Sequence, residues 1–264
     1  MFSENPRQMR LRISAGRAVM ALILREVATV YGRSPGGYVW AVLEPVFGIA
    51  LLTFIFSIGF RAPPLGSSFA LFYASGVLPF LVFTDLTAKL GQTLPFSRAL
   101  LRYPRLTLLD ALIARLVLNG MIQIVVGVVV LSVLLGLTNA GPVISAGRLA
   151  IAYGLAICLG AGVGTLNAGL NVAVPVWQSV WAIGTRPLFI VSCVFFLFDA
   201  VPHPYGDMLW FNPLVHVTGM MRSGIYPYYH ADYVAPAYVL ACAVVPLIAG
   251  LLLVRWLDRG RIMP

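Results

Sequence analysis

The chain has 264 residues, 60% of them apolar and 10% charged, with a mean hydropathy of +0.91. A water-soluble domain carries ~45–50% apolar and ~25% charged residues, so this composition excludes an ordinary soluble enzyme and identifies a membrane protein. Eighteen lysines and arginines against nine acids give a net charge of +9, but the basic residues stand in short stretches between long apolar runs, which points to orientation in a bilayer and away from nucleic acid.

Residues 1–37 read as a cytoplasmic tail and an amphipathic helix over 15–32, with Ser14 as its N-cap. At ~100° per residue, Val19, Leu22, Ile23, Val27 and Val30 share one face, and Arg17, Ala21, Arg25 and Ala28 lie opposite. Such a basic amphipathic helix lies in the membrane interface, the alternative being a simple topology anchor. Glu26 falls on the apolar face, where only a basic partner would account for it. Arg25 and Glu26 interrupt this first apolar run and no small-residue cleavage site follows, so no signal peptide is expected.

Residues 38–264 read as an all-α polytopic domain of six transmembrane helices. A ~30 Å hydrocarbon core takes ~20 apolar residues to cross, and runs at about 38–60, 69–90, 109–136, 149–172 and 235–255 meet that length. A sixth, about 186–201, is shorter; Arg186 can snorkel to the headgroups and Pro187 fits a first helical turn. With the N-terminus inside, the inner segments hold Arg7, Arg10, Arg12, Arg17, Arg25, Arg33, Lys89, Arg98, Arg102, Arg105, Arg186, Arg255, Arg259 and Arg261. The outer segments hold only Arg61, Arg148 and Arg222, so both termini are expected in the cytoplasm.

Between the second and third spans, residues 94–106 form a short helix with Phe96, Leu100 and Tyr103 on one side, Arg98, Arg102 and Arg105 around the other, and Pro104 ending it. That arrangement suits docking to a cytoplasmic protein; a basic loop on anionic headgroups would also carry the arginines. In the fourth span Ala152, Ala156, Gly160, Gly164 and Ala168 recur every four residues, as close helix packing requires. The outer segment 201–235 is rich in Tyr, Trp and His. Within it Asn212 caps a helix too short to cross, Pro213 fills its first turn, Arg222 its last, and Gly224 suits a left-handed stop. This is expected to be a re-entrant or interfacial helix.

Ionisable groups in spans mark pathways or partners. Asp85 and Lys89, four apart, can pair on one face; Glu44, Asp110 and Arg115 lie, like them, near the cytoplasmic end. That placement fits an inner gate or ion pairs at a partner interface better than a proton relay.

Enzyme chemistry finds little support. The only lysine, Lys89, follows no glycine-rich turn, so no P-loop for ATP is present. Gly32-Arg33-Ser34-Pro35-Gly36 matches a nucleophile-elbow pattern by letter, but it joins two helices inside while all three histidines, His203, His216 and His230, fall outside. The histidine spacings match no zinc motif, and Cys158, Cys193 and Cys242 lie in apolar runs as free packed thiols. No catalytic residue, metal or cofactor is therefore assigned.

The stretch VYGRSPGGYVWAVLEP, residues 30–45, resembles the pattern of type-2 ABC exporter permeases, particularly those for capsular polysaccharide and O-antigen, through Tyr31, Arg33, Ser34, Gly37, Trp40, Glu44 and Pro45. Phe72–Phe83, with Gly76 and Pro79, and Asn212-Pro213-Leu214 followed by Arg222 resemble the family too, while Pro35-Gly36 departs from its more basic pair. The resemblance implies an inner-membrane homodimer of permeases on a separate ATP-binding dimer that holds ATP and Mg, with the 94–106 helix as the coupling helix. It also implies a lipid-linked polysaccharide as cargo, and periplasmic and outer-membrane export proteins as further partners. O-antigen, teichoic acid or a drug remain alternative cargoes.

On that reading the cargo path is lined by Tyr31, Arg33, Tyr38 and Trp40 at the entrance and Tyr226, Tyr228 and Tyr229 at the exit; an aromatic interface belt would place the same residues. Arg17, Arg25 and Arg33 would collect an acidic head group. The rival is a proton-coupled secondary carrier using Glu44, Asp85 or Asp110 without an ATPase, a class that usually shows internal repeats, which the sequence lacks.

Overall fold

A computed structural model describes residues 16, 17, 19–28, 37–94, 107–138 and 144–259. Among the described residues the regular structure is helical throughout, with no strand. After an N-terminal helix over 19–28 come α1 (Gly37–Gly59), α2 (Phe69–Gly91), α3 (Leu108–Thr138), α4 (Ala146–Ala173), α5 (Trp177–Val191), a 3₁₀ turn (Phe198–Ala200), α6 (Tyr205–Trp210), α7 (Pro213–Ile225) and α8 (Pro236–Arg259).

Local chemistry sets several of these boundaries. Ser68 and Ser145 turn their hydroxyls onto the first-turn amides of α2 and α4. Thr107 and Asp110 cap α3 reciprocally: the Thr107 N–H donates to Asp110 Oδ2 at 3.0 Å and the Asp110 N–H to Thr107 Oγ1 at 3.2 Å. Among the described residues five helices, α1, α2, α3, α4 and α8, are long and apolar enough to cross a membrane. Their bounds lie close to those read from hydropathy.

α2 sits at the centre, its residues from Leu71 to Phe80 continuously buried, whereas α1 and α3 present Phe54, Ile58, Val125 and Val133 outward, as lipid-facing helices do. Close contacts fix the directions. Gly160 and Gly164 of α4 meet Leu86 and Leu90 of α2, and Gly162 and Gly169 of α4 meet Ala243 and Leu253 of α8. Numbers rise together in both pairs, so α2, α4 and α8 run parallel. α1 and α3 run the other way: the Phe56 ring packs on Tyr73 at 5.2 Å while Glu44 lies by Asp85, and Arg115 reaches Lys89 while Gln123 reaches Asp85.

The predicted small-residue stripe is thus the face that α4 turns to α2. A second face of α4, through Gly162, Leu166 and Gly169, takes α8; its two glycines stand seven apart and fall outside the four-residue stripe.

The predicted helix over 186–201 is not formed. α5 begins earlier, at Trp177, and ends at Val191, so Arg186 and Pro187 lie inside it and not at its start. The apolar run continues as turns into the 3₁₀ segment, with Cys193 in the left-handed region at φ 56°. The physical reason is that side chains from α7, described below, take up the backbone groups that a helix would have paired internally. Because α4 and α8 are parallel, the chain between them returns along their length. α5 begins this return beside α2, with Trp181 near Ala88, Phe189 against Phe80 at 4.9 Å and Val194 against Gly76. α7 completes it, since the Ser145 N–H donates to Gly224 O at 2.9 Å beside the start of α4.

α7 forms as expected at its start, where Asn212 Oδ1 accepts the Leu214 N–H at 3.0 Å. Gly224 is not a left-handed stop: the helix runs through it to Ile225, and its missing Cβ leaves room for Leu149, whose Cδ2 would stand 2.9 Å from one.

Candidate functional site

Two polar clefts flank α2 near its Gly91 end, and Thr84 and Ala88 line both. The first, about 250 Å³, lies among α1, α2 and α3 and is acidic, with Glu44, Asp85 and Gln123 in its wall. Asp85 is committed within it: Lys89 Nζ lies 3.0 Å from Oδ2, and Gln123 Nε2 donates to the same oxygen at 2.9 Å. The second cleft, about 290 Å³, lies among α2, α4 and α5 and holds amides, hydroxyls and an indole without any ionisable side chain.

The other ionisable residues disperse. Asp110 caps α3, and Arg115 pairs with Glu26 at 3.1 Å, with both side chains buried. That contact supplies the basic partner Glu26 required, and it seats the protected face of the N-terminal helix on α3. Leu22, Ile23 and Val27 are half-buried there, while Arg17, Ala21 and Ala28 are exposed. Arg115 also donates from Nη1 to Lys89 O at 2.6 Å, which ties the end of α2 to the same point. Removing one partner of a buried ion pair costs up to ~3–5 kcal/mol, more than removing both. Glu26→Gln should therefore lower the melting temperature in detergent, and adding Arg115→Gln should recover part of the loss; equal melting of the single variant and wild type would show that the pair holds nothing.

At the opposite, Ser68 end, α7 supports the broken segment after α5. Arg222 is fully buried and donates from Nη2 to Val194 O at 3.0 Å and from Nη1 to Phe196 O at 2.9 Å. Its guanidinium stands 4.5 Å over the Phe72 ring. Thr218 Oγ1 donates to Ser192 O at 3.2 Å, and Asn212 Nδ2 to Val191 O at 3.1 Å. Side chains of α7 and its cap thus take the carbonyls of Val191, Ser192, Val194 and Phe196, where α5 gives way to non-helical backbone. Among the described residues no carboxylate pairs with Arg222. Sequence reading placed Arg222 merely in the last turn of α7; its position next to Thr218, one turn earlier on the same face, was the legible signal.

The tyrosines read as an exit divide. Tyr228 is exposed, but Tyr226 is buried, its ring packed against Gly66, which is held at φ +72°. Tyr229 is buried as well, donating from Oη to Asp199 Oδ2 at 2.8 Å. Burial, with Tyr233 and Asp199 adding to it, holds the Tyr229 phenol far above its usual range, and burial pushes Tyr233 up to about 12. Both phenols keep their protons at neutral pH, so Tyr229 acts as a donor that fixes the 226–235 segment to the 3₁₀ turn.

Trp40 is exposed on the first turn of α1, and Arg25 is half-buried on the N-terminal helix. Tyr31 and Arg33, the side chain of Tyr38, and the predicted docking segment with Phe96, Arg98, Leu100, Arg102 and Tyr103 lie outside the described residues. No group of three His, Cys, Asp or Glu side chains converges as metal ligands among the described residues. His216 instead contacts Trp210 O at 2.8 Å and His203 pairs with Asp207 at 3.2 Å.

The sequence model of the family described as ABC-2 type transporter matches residues 17–226, from the N-terminal helix through α7. The chain belongs to that family. Among its curated relatives, this ABC-2 type transporter is 29% identical to the polysialic acid transport protein KpsM of Escherichia coli over 237 residues, covering 90% of this chain and 92% of KpsM. It is 23% identical to the capsule polysaccharide export inner-membrane protein CtrC of Neisseria meningitidis serogroup B, covering 92% of each chain. Identity to the capsule polysaccharide export inner-membrane protein BexB of Haemophilus influenzae is 21%, over 93% of this chain and 92% of BexB.

Proposed function

We propose that this ABC-2 type transporter is the inner-membrane permease of a capsule polysaccharide exporter, moving a lipid-linked, acidic polysaccharide out of the cytoplasm. The observation that carries this reading is end-to-end similarity: relatives named for polysialic acid transport and capsule polysaccharide export match 90% or more of the chain. Two copies pair over the ATP-binding dimer, both termini face the cytoplasm, and the chain crosses six times. α5 and the segment after it make the fifth crossing, a return that the parallel run of α4 and α8 supports.

The physical task is set by the cargo. An anion leaving a negative-inside cell gains ~2.3 kcal/mol per charge per 100 mV, so the field assists export. Solvation opposes it, because sugar hydroxyls stripped of water in hydrocarbon cost several kcal/mol each. A conduit must therefore stay polar, and the two clefts beside α2 supply amides, hydroxyls and carboxylates at the cytoplasmic end. At the far end Arg222 holds a non-helical segment where a polymer must leave the bilayer. A broken helix pinned by a neighbouring helix is a part that can shift as one body when the ATPase closes.

The 94–106 segment couples that closure to the permease, through α2 and α3 on either side of it in sequence. Phe96→Asp combined with Leu100→Asp should leave the chain inserted and the partner hydrolysing ATP, while surface polysaccharide falls at least tenfold. Normal surface polysaccharide in that double variant would remove the coupling assignment. Loss of the polysaccharide on deleting the chain, and its return on re-expression, tests the cargo directly; an unchanged surface after deletion would contradict the function itself.

A further inference from the structure

The uncharged cleft among α2, α4 and α5 contains two polar atoms whose roles are fixed by their neighbours. Asn167 Oδ1 accepts from Trp177 Nε1 at 2.9 Å, and an indole N–H can only donate. Asn171 Nδ2 donates to Gly91 O at 2.9 Å, and a carbonyl can only accept. Both amide orientations follow, and each leaves one atom over: the Asn167 Nδ2 donor and the Asn171 Oδ1 acceptor, both atoms buried and both without a partner. Asn167 is 2% exposed, so bulk water does not compensate its donor. An unpaired buried donor or acceptor is costly, and native proteins rarely keep two of them on one helix face without an occupant.

Other features narrow what that occupant is. With no cationic side chain in its wall, the cleft is unsuited to a phosphate or carboxylate, and with no carboxylate it is equally unsuited to a cation. Gln92 and Gln178 add amides that both donate and accept, the pattern a hydroxyl presents, and Thr84 and Thr87, whose hydroxyls already donate to backbone carbonyls, add acceptors. Trp181 adds an apolar aromatic surface, which a water cluster would not use but a C–H face of a sugar ring would. A volume of about 290 Å³ falls near the lower end of the range for small-ligand sites, ~300–1,000 Å³.

We propose that this cleft, opened by a shift of α5, binds one neutral sugar ring, a pair of its hydroxyls bridging the uncovered Asn167 Nδ2 and Asn171 Oδ1 while its C–H face lies on Trp181. The inference rests on the polysaccharide reading above and adds to it a place where the chain grips the cargo. The grip lies at the Gly91 end, beside the helix that leads to the docking segment, so a shift of α5 against α2 opens or closes it. Acidic parts of the cargo pass this cleft without binding in it.

The test places the photo-crosslinking residue benzoyl-phenylalanine at Gln178, in the cleft wall, in cells making the polysaccharide and the complete exporter. Irradiation should join the permease to glycan, seen as a mass-shifted band that a glycosidase digests. The same residue at Ile183, exposed on another face of α5, should give at most a tenth of that yield. Asn167→Asp keeps an acceptor for Trp177 and puts a buried carboxylate where the free donor stood; it should lower the Gln178 yield at least tenfold. Asn171→Leu gives a second reading should the first variant fold poorly, and should lower the yield similarly. Export measured in parallel separates the two ideas. Normal export with no glycan at Gln178, or with only phospholipid attached there, overturns the sugar site and leaves the exporter reading intact.

Discussion

Arg222→Met should abolish export and lower the melting temperature of the purified permease by about 5–10 °C. The side chain is fully buried, and its two bonds to Val194 O and Phe196 O are the ones that replace helical pairing in the segment after α5. Methionine keeps the stem and the contact with Phe72 but strands both carbonyls, at ~1–3 kcal/mol each; for a domain of this size ~1 kcal/mol shifts melting by ~2–4 °C. An opposing effect exists, since methionine also relieves the desolvation of a charge that no carboxylate balances among the described residues. The stranded carbonyls win because they lie in non-helical backbone and accept no backbone N–H among the described residues. Arg222→Lys, which offers a compact ammonium in place of a two-pronged fork, should fall between the two. Wild-type melting and export in Arg222→Met would mean that the broken segment is held by something else.

The second large effect is steric. A Cβ on Gly250 would stand 2.7 Å from Leu166 Cα and 2.5 Å from Leu166 N, so α4 and α8 can meet there only with glycine on α8. The obstacle is backbone and cannot rotate aside. Gly250→Leu should therefore force the two helices apart, cost more than the ~1–3 kcal/mol usual for an overpacked side chain, and leave little folded protein in detergent. Gly48→Leu is the control, because nothing lies within 4 Å of a Cβ at that position of α1. Its melting should match the wild type. Equal behaviour of the two variants would show that the α4–α8 contact is not the tight seam described.

Hydropathy and charge made the five long helices legible, because ~20 apolar residues have few uses other than crossing a bilayer. The predicted span over 186–201 misled for the same reason. Leu188–Phe198 reads as a helix by composition, yet residues distant in sequence, Asn212, Thr218 and Arg222, provide its backbone with other partners. No local window contains that information. The pairing of Asp85 with Lys89 was readable from their spacing, whereas the pairing of Arg115 with Glu26 joins elements far apart in sequence and needs the fold. The neutral cleft was the least legible feature: Asn167, Asn171 and Trp181 look like ordinary span residues until α2, α4 and α5 are brought together.

Energy supplied by a separate ATPase is the central claim. The permease should be reconstituted into sealed vesicles with and without its ATP-binding partner, and the entry of lipid-linked polysaccharide into the lumen measured on adding ATP with Mg or on imposing a proton gradient. Transport only when partner and ATP are both present is the predicted result. Uphill transport by the permease alone, driven by the proton gradient, would contradict it.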